Sequence, residues 1–249
     1  MDPKLKLSRR TPGEAVCDQH RYRRIVGALL FLLNSRPELC FAVSTLCKFV
    51  SDPSVVHWSA LEHVLRYLRG TIFHGILYRR QGSCNLEAFA DASWKSDPDD
   101  GKSVSGLLVV LNQSPVVFGS RKQQRVATSS TEAEYYALAS TVKYVCWCRQ
   151  ILSDFGRPVL DSTVVFQDNL KTIDFATNPI ANTRMIHIPV DVHFVRDEVQ
   201  AKTIKLRSTP SADMLADIFT KPLAATKFAE LTRKLSVADW LDLGKLGKT

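Results

Sequence analysis

The chain has 249 residues, 45% of them hydrophobic, which is enough for a substantial core and excludes a disordered protein. It carries 33 Lys and Arg against 25 Asp and Glu, a formal charge of +8, so polyanions, nucleic acid first, are the expected partners. Six scattered cysteines without a CxxC pair exclude a disulfide scaffold and suit a reducing interior, cytoplasmic or nuclear; the apolar run IVGALLFLL is too short to span a bilayer.

Residues 1–21 are polar and basic and read as an unstructured or severed end. From Tyr22 to about residue 80 the period is helical. Ile25, Leu29, Leu32 and Leu33 line one helix, and Pro37 opens a second, PELCFAVSTLCKFV. Leu61, Val64, Leu65 and Leu68 line a third, which Gly70 closes. These three helices are expected to form a small unit of their own. Cys40, Cys47, His57 and His63 invite a zinc reading, but their first spacing is too long for a structural site.

Gly82 and Ser83 mark a break, and strands follow: LEAFADA, SVSGLLVVL and PVVFGSRKQ, the last two joined by the turn NQSP. A long helix runs from about Ser130 to Phe155 and stops at Gly156 and Pro158. Next come a short strand, STVVFQD, and a helix, NLKTIDFATN. A further helix is delayed until after Pro189, and TIKLRST is a last strand. SADMLADIFT and KFAELTRKL read as closing helices. The pattern predicts an α/β domain over residues 84–222 with a five-stranded mixed sheet, order 3-2-1-4-5, followed by a C-terminal helix and tail over 223–249. Right-handed crossovers make strands four and five parallel to the first.

Four acids could converge at one edge of that sheet. Asp91 ends the central strand, and Asp168 ends its parallel neighbour. Asp168 has an equally ordinary reading, since Asp-Asn often caps a helix or starts a turn. The long helix begins with two acids. Glu134 shares a face with Ala137, Leu138, Thr141, Val142 and Val145, the stripe that must pack on the sheet, whereas Glu132 lies on a more polar face and is free to cap. Asp217, one turn after Asp213, reads from the residues alone as a solvated helix acid. The acids of SDPDD (Asp97, Asp99, Asp100) read as a solvated turn. Arg121, Lys122 and Arg125, with Ser129 and Ser130, are candidate phosphate contacts; a solvated loop is the competing reading. His187 and His193 have apolar neighbours, which favours a structural role over proton transfer.

The blocks FADASW, SVSG, SRKQ, ATSSTEAEYYALA, FQDN, HFVRDEV and LADIFTKPL together resemble the ribonuclease H domain of copia-type retrotransposon polyproteins. The preceding YRRIVGALLFLLNSRPELCFAV and HWSALEHVLRYLRGT resemble the segment after the polymerase palm, so the match runs from about Tyr22 to Val237. The resemblance implies a ribonuclease H-like fold, cleavage of RNA in RNA–DNA hybrids, and catalytic acids at Asp91, Glu134, Asp168 and Asp217. This chain departs from the family pattern at Ser93, Phe118, Gln167 and Pro189, none of them an implied metal ligand. The paired aspartates of the palm are missing, so the chain is expected to have no reverse transcriptase activity and to be a carboxy-terminal piece whose partner is that palm.

All-oxygen ligation suits two Mg²⁺ or Mn²⁺ ions about 4 Å apart. Asp91 would bridge them, Glu134 and Asp168 would complete one site and Asp217 the other. Carboxylates so close repel one another, so the metal-free site is expected to be poorly ordered. A catalytically inactive nucleic-acid-binding or interaction module is the alternative.

Overall fold

The computed structural model describes residues 5–78, 84–178 and 189–241. Three helices lead. Asp18 caps α1 (Gln19–Leu32) by accepting the Arg21 N–H at 3.0 Å. A 3₁₀ turn over Pro37–Leu39 enters α2 (Cys40–Cys47), and α3 (Val55–Gly70) follows. Their apolar stripes meet around Tyr22, Val26, Leu29, Leu46 and Leu61. Tyr22 is fully buried and donates its hydroxyl to the Leu46 carbonyl at 3.0 Å, which keeps its one polar atom satisfied.

From residue 5 on, the N-terminal stretch is packed, where residues 1–21 were expected to be an unstructured end. Leu7 is buried in the same cluster, Val16 bridges Ser54, and His57 Nε2 lies 2.9 Å from the Ser8 carbonyl. His57 also accepts the Ser54 N–H on Nδ1 at 2.9 Å, closing the start of α3, so its work is structural. Among the described residues no Cys/His group has metal-ligand geometry, and all six cysteines are free.

After β1 (His74–Ile76) the chain builds an antiparallel meander of β2 (Leu86–Ser93), β3 (Val104–Leu111) and β4 (Ser114–Lys122). Helix α4 (Ser130–Asp154) crosses to β5 (Thr163–Gln167), and α5 (Leu170–Thr177) and α6 (Pro189–Gln200) lead to β6 (Ile204–Ser208). The sheet order is β4-β3-β2-β5-β6, with β5 parallel to β2 and β6 parallel to β5, as the pattern predicts. Pro189 occupies the first position of α6, where its missing N–H would have no helical partner anyway.

Period-two alternation gives the sheet two apolar faces. Ala88, Ala90, Val109 and Val165 pack against Leu138, Val142 and Val145 of α4. Phe89 and Leu108, with Phe166 beside them, pack on the opposite face against Ala216, Ile218, Phe219 and Leu231. The segment expected to be a helix over 211–220 is instead two 3₁₀ turns, Ser211–Asp213 and Leu215–Phe219. Met214 between them is extended (φ −69°, ψ 101°), which interrupts the helix, and its side chain is fully buried.

Helix α7 (Ala225–Lys234) is followed by β7 (Val237–Asp239), which pairs antiparallel with β1. Strands of three residues are too short to show a period, and neither is legible in the sequence. This pairing ties the expected C-terminal tail to the leading helical segment. Cys40 also lies in the core beneath the sheet. The boundaries expected near residues 80 and 222 are therefore not breaks in packing.

Asp97 is the largest departure from a solvated turn. It is buried and receives Lys122 Nζ at 2.8 Å, Lys48 Nζ at 2.9 Å and the Asp99 N–H at 3.0 Å. Burial pushes its carboxyl up, but the Lys122 and Lys48 contacts outweigh this and hold it down at about 2. It pins α2 to the β2–β3 connection. Asp97→Ala is expected to lower stability by about 2 kcal/mol, the scale of hydrogen bonds to charged groups. Urea unfolding measures this directly.

Candidate metal centre

Parallel pairing aligns Phe89 with Phe166, so Asp91 and Asp168, two residues further along each strand, come side by side. Glu134 arrives from the second turn of α4, on the face that packs against β2 and β3. One oxygen from each of Asp91, Glu134 and Asp168 lies within 4.8 Å of the others. Among the described residues this is the one His/Cys/Asp/Glu group so arranged.

Local chemistry leaves these carboxylates free to meet. Ser129 caps α4 by accepting the Glu132 N–H at 3.1 Å, and the Glu132 carboxylate accepts the Thr128 N–H at 2.7 Å. Glu132 is thus spent on the cap and Glu134 faces the sheet, as the helical period predicts. Asn169, not Asp168, caps α5, accepting from Lys171 N at 3.0 Å and Thr172 N at 3.3 Å. Asp168 Oδ2 instead accepts the Ser211 hydroxyl at 2.8 Å. Gln167 is fully buried; its amide donates to Glu134 Oε2 at 3.3 Å while its carbonyl accepts the Asp168 and Asn169 N–H groups. In the sequence Gln167 stood out only as a departure from a pattern. Here it positions two of the three acids.

Burial and mutual repulsion both resist ionisation of these acids. Burial pushes Glu134 up to about 9, and the charges of Asp91 and Asp168 push in the same direction. Burial also raises Asp91, to about 6; the Thr220 hydroxyl and the Lys221 charge offset part of that. An all-carboxylate, oxygen-only set of this kind is the chemistry of a hard divalent cation, so Mg²⁺ or Mn²⁺ fits this donor set.

Asp217 does not join the group of three. It is buried on the second 3₁₀ turn, with Lys221 Nζ 2.7 Å from its Oδ1. Its charge still acts on Asp91. The arm carrying it lies tight against β3 because residue 106, paired with Asp91, is glycine. A Cβ there would come within 2.7 Å of the Ala216 carbonyl oxygen and of Thr220 Cγ2. This approach lets the Thr220 hydroxyl donate to Asp91 Oδ2. Gly106, Thr220 and Lys221 were missed in the sequence. Only the four-residue spacing of Asp217 and Lys221 carried a signal.

The expected phosphate contacts divide. Lys122 is engaged with Asp97 and, at 2.9 Å, with Asp100, so it is not a free cation. Arg121 is exposed with its guanidinium 5.2 Å from the Tyr144 ring centre; Arg125 and Ser130 are exposed, and Ser129 is the helix cap. His193 is exposed on α6, which leaves its expected structural role without support, and His187 lies outside the described residues.

No known family model matches the chain. Among curated proteins, the retrovirus-related Pol polyprotein from transposon RE2 of Arabidopsis thaliana is 38% identical over 94% of this chain, and that from transposon RE1 of the same plant is 38% identical over 95%. This chain spans 16% of the length of each. Among solved structures, the foamy viral protease-reverse transcriptase in complex with RNA/DNA hybrid resembles 86% of this chain through 27% of its own, at 13% identity and a TM-score of 0.47. The five-stranded mixed sheet, with three acids convergent at one edge, is the α/β architecture that the sequence pattern predicts. Over most of its length the chain is homologous, at 32–38% identity, to part of the retrovirus-related Pol polyproteins of transposons.

Gly106→Ala is expected to cost about 1–3 kcal/mol, since a backbone oxygen cannot yield as a side chain would. Urea unfolding measures that loss. A second prediction concerns pH in metal-free buffer. Glu134, raised from its ordinary 4.5 to about 9, holds its proton more tightly in the folded state than in the unfolded chain. Its contribution to stability is therefore complete below about pH 4.5 and is lost as pH rises toward about 9. The melting temperature should fall across that window. Glu134→Gln should flatten the fall, and Mg²⁺ at pH 8 should raise the melting temperature of the wild type but not of that variant.

Proposed function

We propose that this domain hydrolyses RNA in RNA–DNA hybrids with divalent metal ions. The observation that carries the reading is the convergence of Asp91, Glu134 and Asp168. These three would hold the cation, with Asp217 the expected fourth ligand. A bound Mg²⁺ or Mn²⁺ supplies an activated water and neutralises charge at the phosphodiester. The remaining work belongs to the chain. The Thr220 hydroxyl orients Asp91, Gln167 orients Glu134, and Ser211 fixes Asp168. Products with 5′ phosphate and 3′ hydroxyl ends are expected.

Substrate selection would rest on shape, with 2′ hydroxyls read on one strand and a DNA-like backbone accepted on the other. Arg121, Arg125 and Ser130 are exposed near the start of α4, and their charge and donors suit phosphate contact. Lys122 drops out of that set because Asp97 and Asp100 occupy it. The activities and partners of a whole polyprotein, including a reverse transcriptase palm as docking partner, belong to the same proposal. Among the described residues no helix is long and apolar enough to cross a membrane.

The test is cleavage of an end-labelled RNA–DNA hybrid. Wild type should cut the RNA strand only when Mg²⁺ or Mn²⁺ is present, and Asp91→Asn should abolish cutting. Equal activity in the two proteins, or none in either, defeats the reading; a wild type that binds hybrid without cutting it points to the inactive binding module instead.

A further inference from the structure

Lys221 brings a positive charge into the carboxylate site. Its backbone belongs to the arm that Gly106 admits and that Thr220 ties to Asp91, and its N–H donates to the Asp217 carbonyl at 3.3 Å. The root of the side chain is therefore fixed. Its ammonium lies 2.7 Å from Asp217 Oδ1, yet the side chain is 42% exposed while that of Asp217 is only 7% exposed. Asp217 is locked in the protein, and Lys221 has an open path to water.

The distribution of charge is uneven. Lys221 meets Asp217 at contact distance, whereas among the described residues no ion pair reaches Asp91, Glu134 or Asp168, on which Lys221 acts only from further away. Burial pulls the Lys221 pKa down, but the hydrogen bond to Asp217 and the charges of Asp91, Asp217 and Asp168 outweigh it and raise it. A divalent ion entering the site meets two settings: a set of three acids that no ammonium contacts, and a fourth acid already paired with a monovalent group. A doubly charged ion attracts Asp217 more strongly than an ammonium does at the same distance, and a lysine on a flexible stem recovers full hydration when it leaves.

We propose that Lys221 is a built-in counter-ion that sets the order of cation loading: the Asp91–Glu134–Asp168 set fills first, and a second divalent ion gains Asp217 only by displacing the Lys221 ammonium into solvent. This rests on the metal-binding reading above and adds what that reading lacks, a reason for Asp217 to stand outside the group of three. Lys221 acts through Asp217 and is a positioning residue.

The test is calorimetric titration of the full chain with Mn²⁺, comparing wild type, Lys221→Met, Asp217→Asn and Asp91→Asn. Wild type should take up a first ion and then, more weakly, a second. Lys221→Met should tighten the second step by roughly tenfold, more than the first, as expected when a contact charge is removed. A wild type that takes one ion while Lys221→Met takes two is equally supportive. Asp217→Asn should lose the second step and keep the first. A second step unchanged or weakened in Lys221→Met, or a single ion in both proteins, overturns the proposal. Absence of Mn²⁺ uptake by wild type, or uptake untouched by Asp91→Asn, defeats the metal-binding reading itself.

Should Lys221→Met fail to fold, the wild type alone decides. Reductive methylation of Lys221, followed by mass spectrometry, should be slow in metal-free protein and faster at saturating Mn²⁺. Equal or slower modification with the metal refutes displacement.

Discussion

Three carboxylates held within 4.8 Å of one another, two of them buried, constrain the rest of this molecule. Such a group repels itself and loses hydration, so it forms only where the surrounding backbone leaves no other arrangement. Parallel pairing of β2 with β5 fixes Asp91 beside Asp168, and the cap on α4 fixes the turn from which Glu134 projects. Gln167, Thr220 and Ser211 offer some compensation by donating hydrogen bonds to the carboxylates. The raised Glu134 and Asp91 show that this compensation is incomplete, which is what equips the site for a cation.

Both faces of the sheet serve that arrangement. Small residues on β2, Ala88 and Ala90, let α4 approach closely enough to aim Glu134. On the other face Gly106 lets the 215–221 arm approach, which brings Thr220 to Asp91 and Lys221 to Asp217. The leading helices are joined to this body through the Asp97 ion network, the β1–β7 pair and a shared core. They are not an appendage.

The net charge of +8 says less about the contact surface than it promises. Lys122, Lys48, Lys143 and Lys234 are all paired with acids, and Lys221 is turned into the site. An excess of lysine marks a chain suited to polyanions. Which cations remain available depends on where the acids fall in space.

The sheet order, the long helix and the choice of Glu134 over Glu132 were legible because each follows from a short-range rule: alternation, the 3.6-residue period, the handedness of crossovers. Asp91 and Asp168 were legible for the same reason, as ends of neighbouring parallel strands. What the sequence could not show depends on contacts between distant segments. Leu7 and Asp97 were misjudged because burial is set by partners up to dozens of residues away, and strands of three residues leave no period. Asp217 and Lys221 lie one turn apart and look like a surface pair. Only the close approach allowed at Gly106 buries one and leaves the other half in water. The linear pattern determined which acids are available and on which elements they stand. The tertiary structure decided which of them share a space, because charge interaction and desolvation depend on separation in three dimensions and not on distance along the chain.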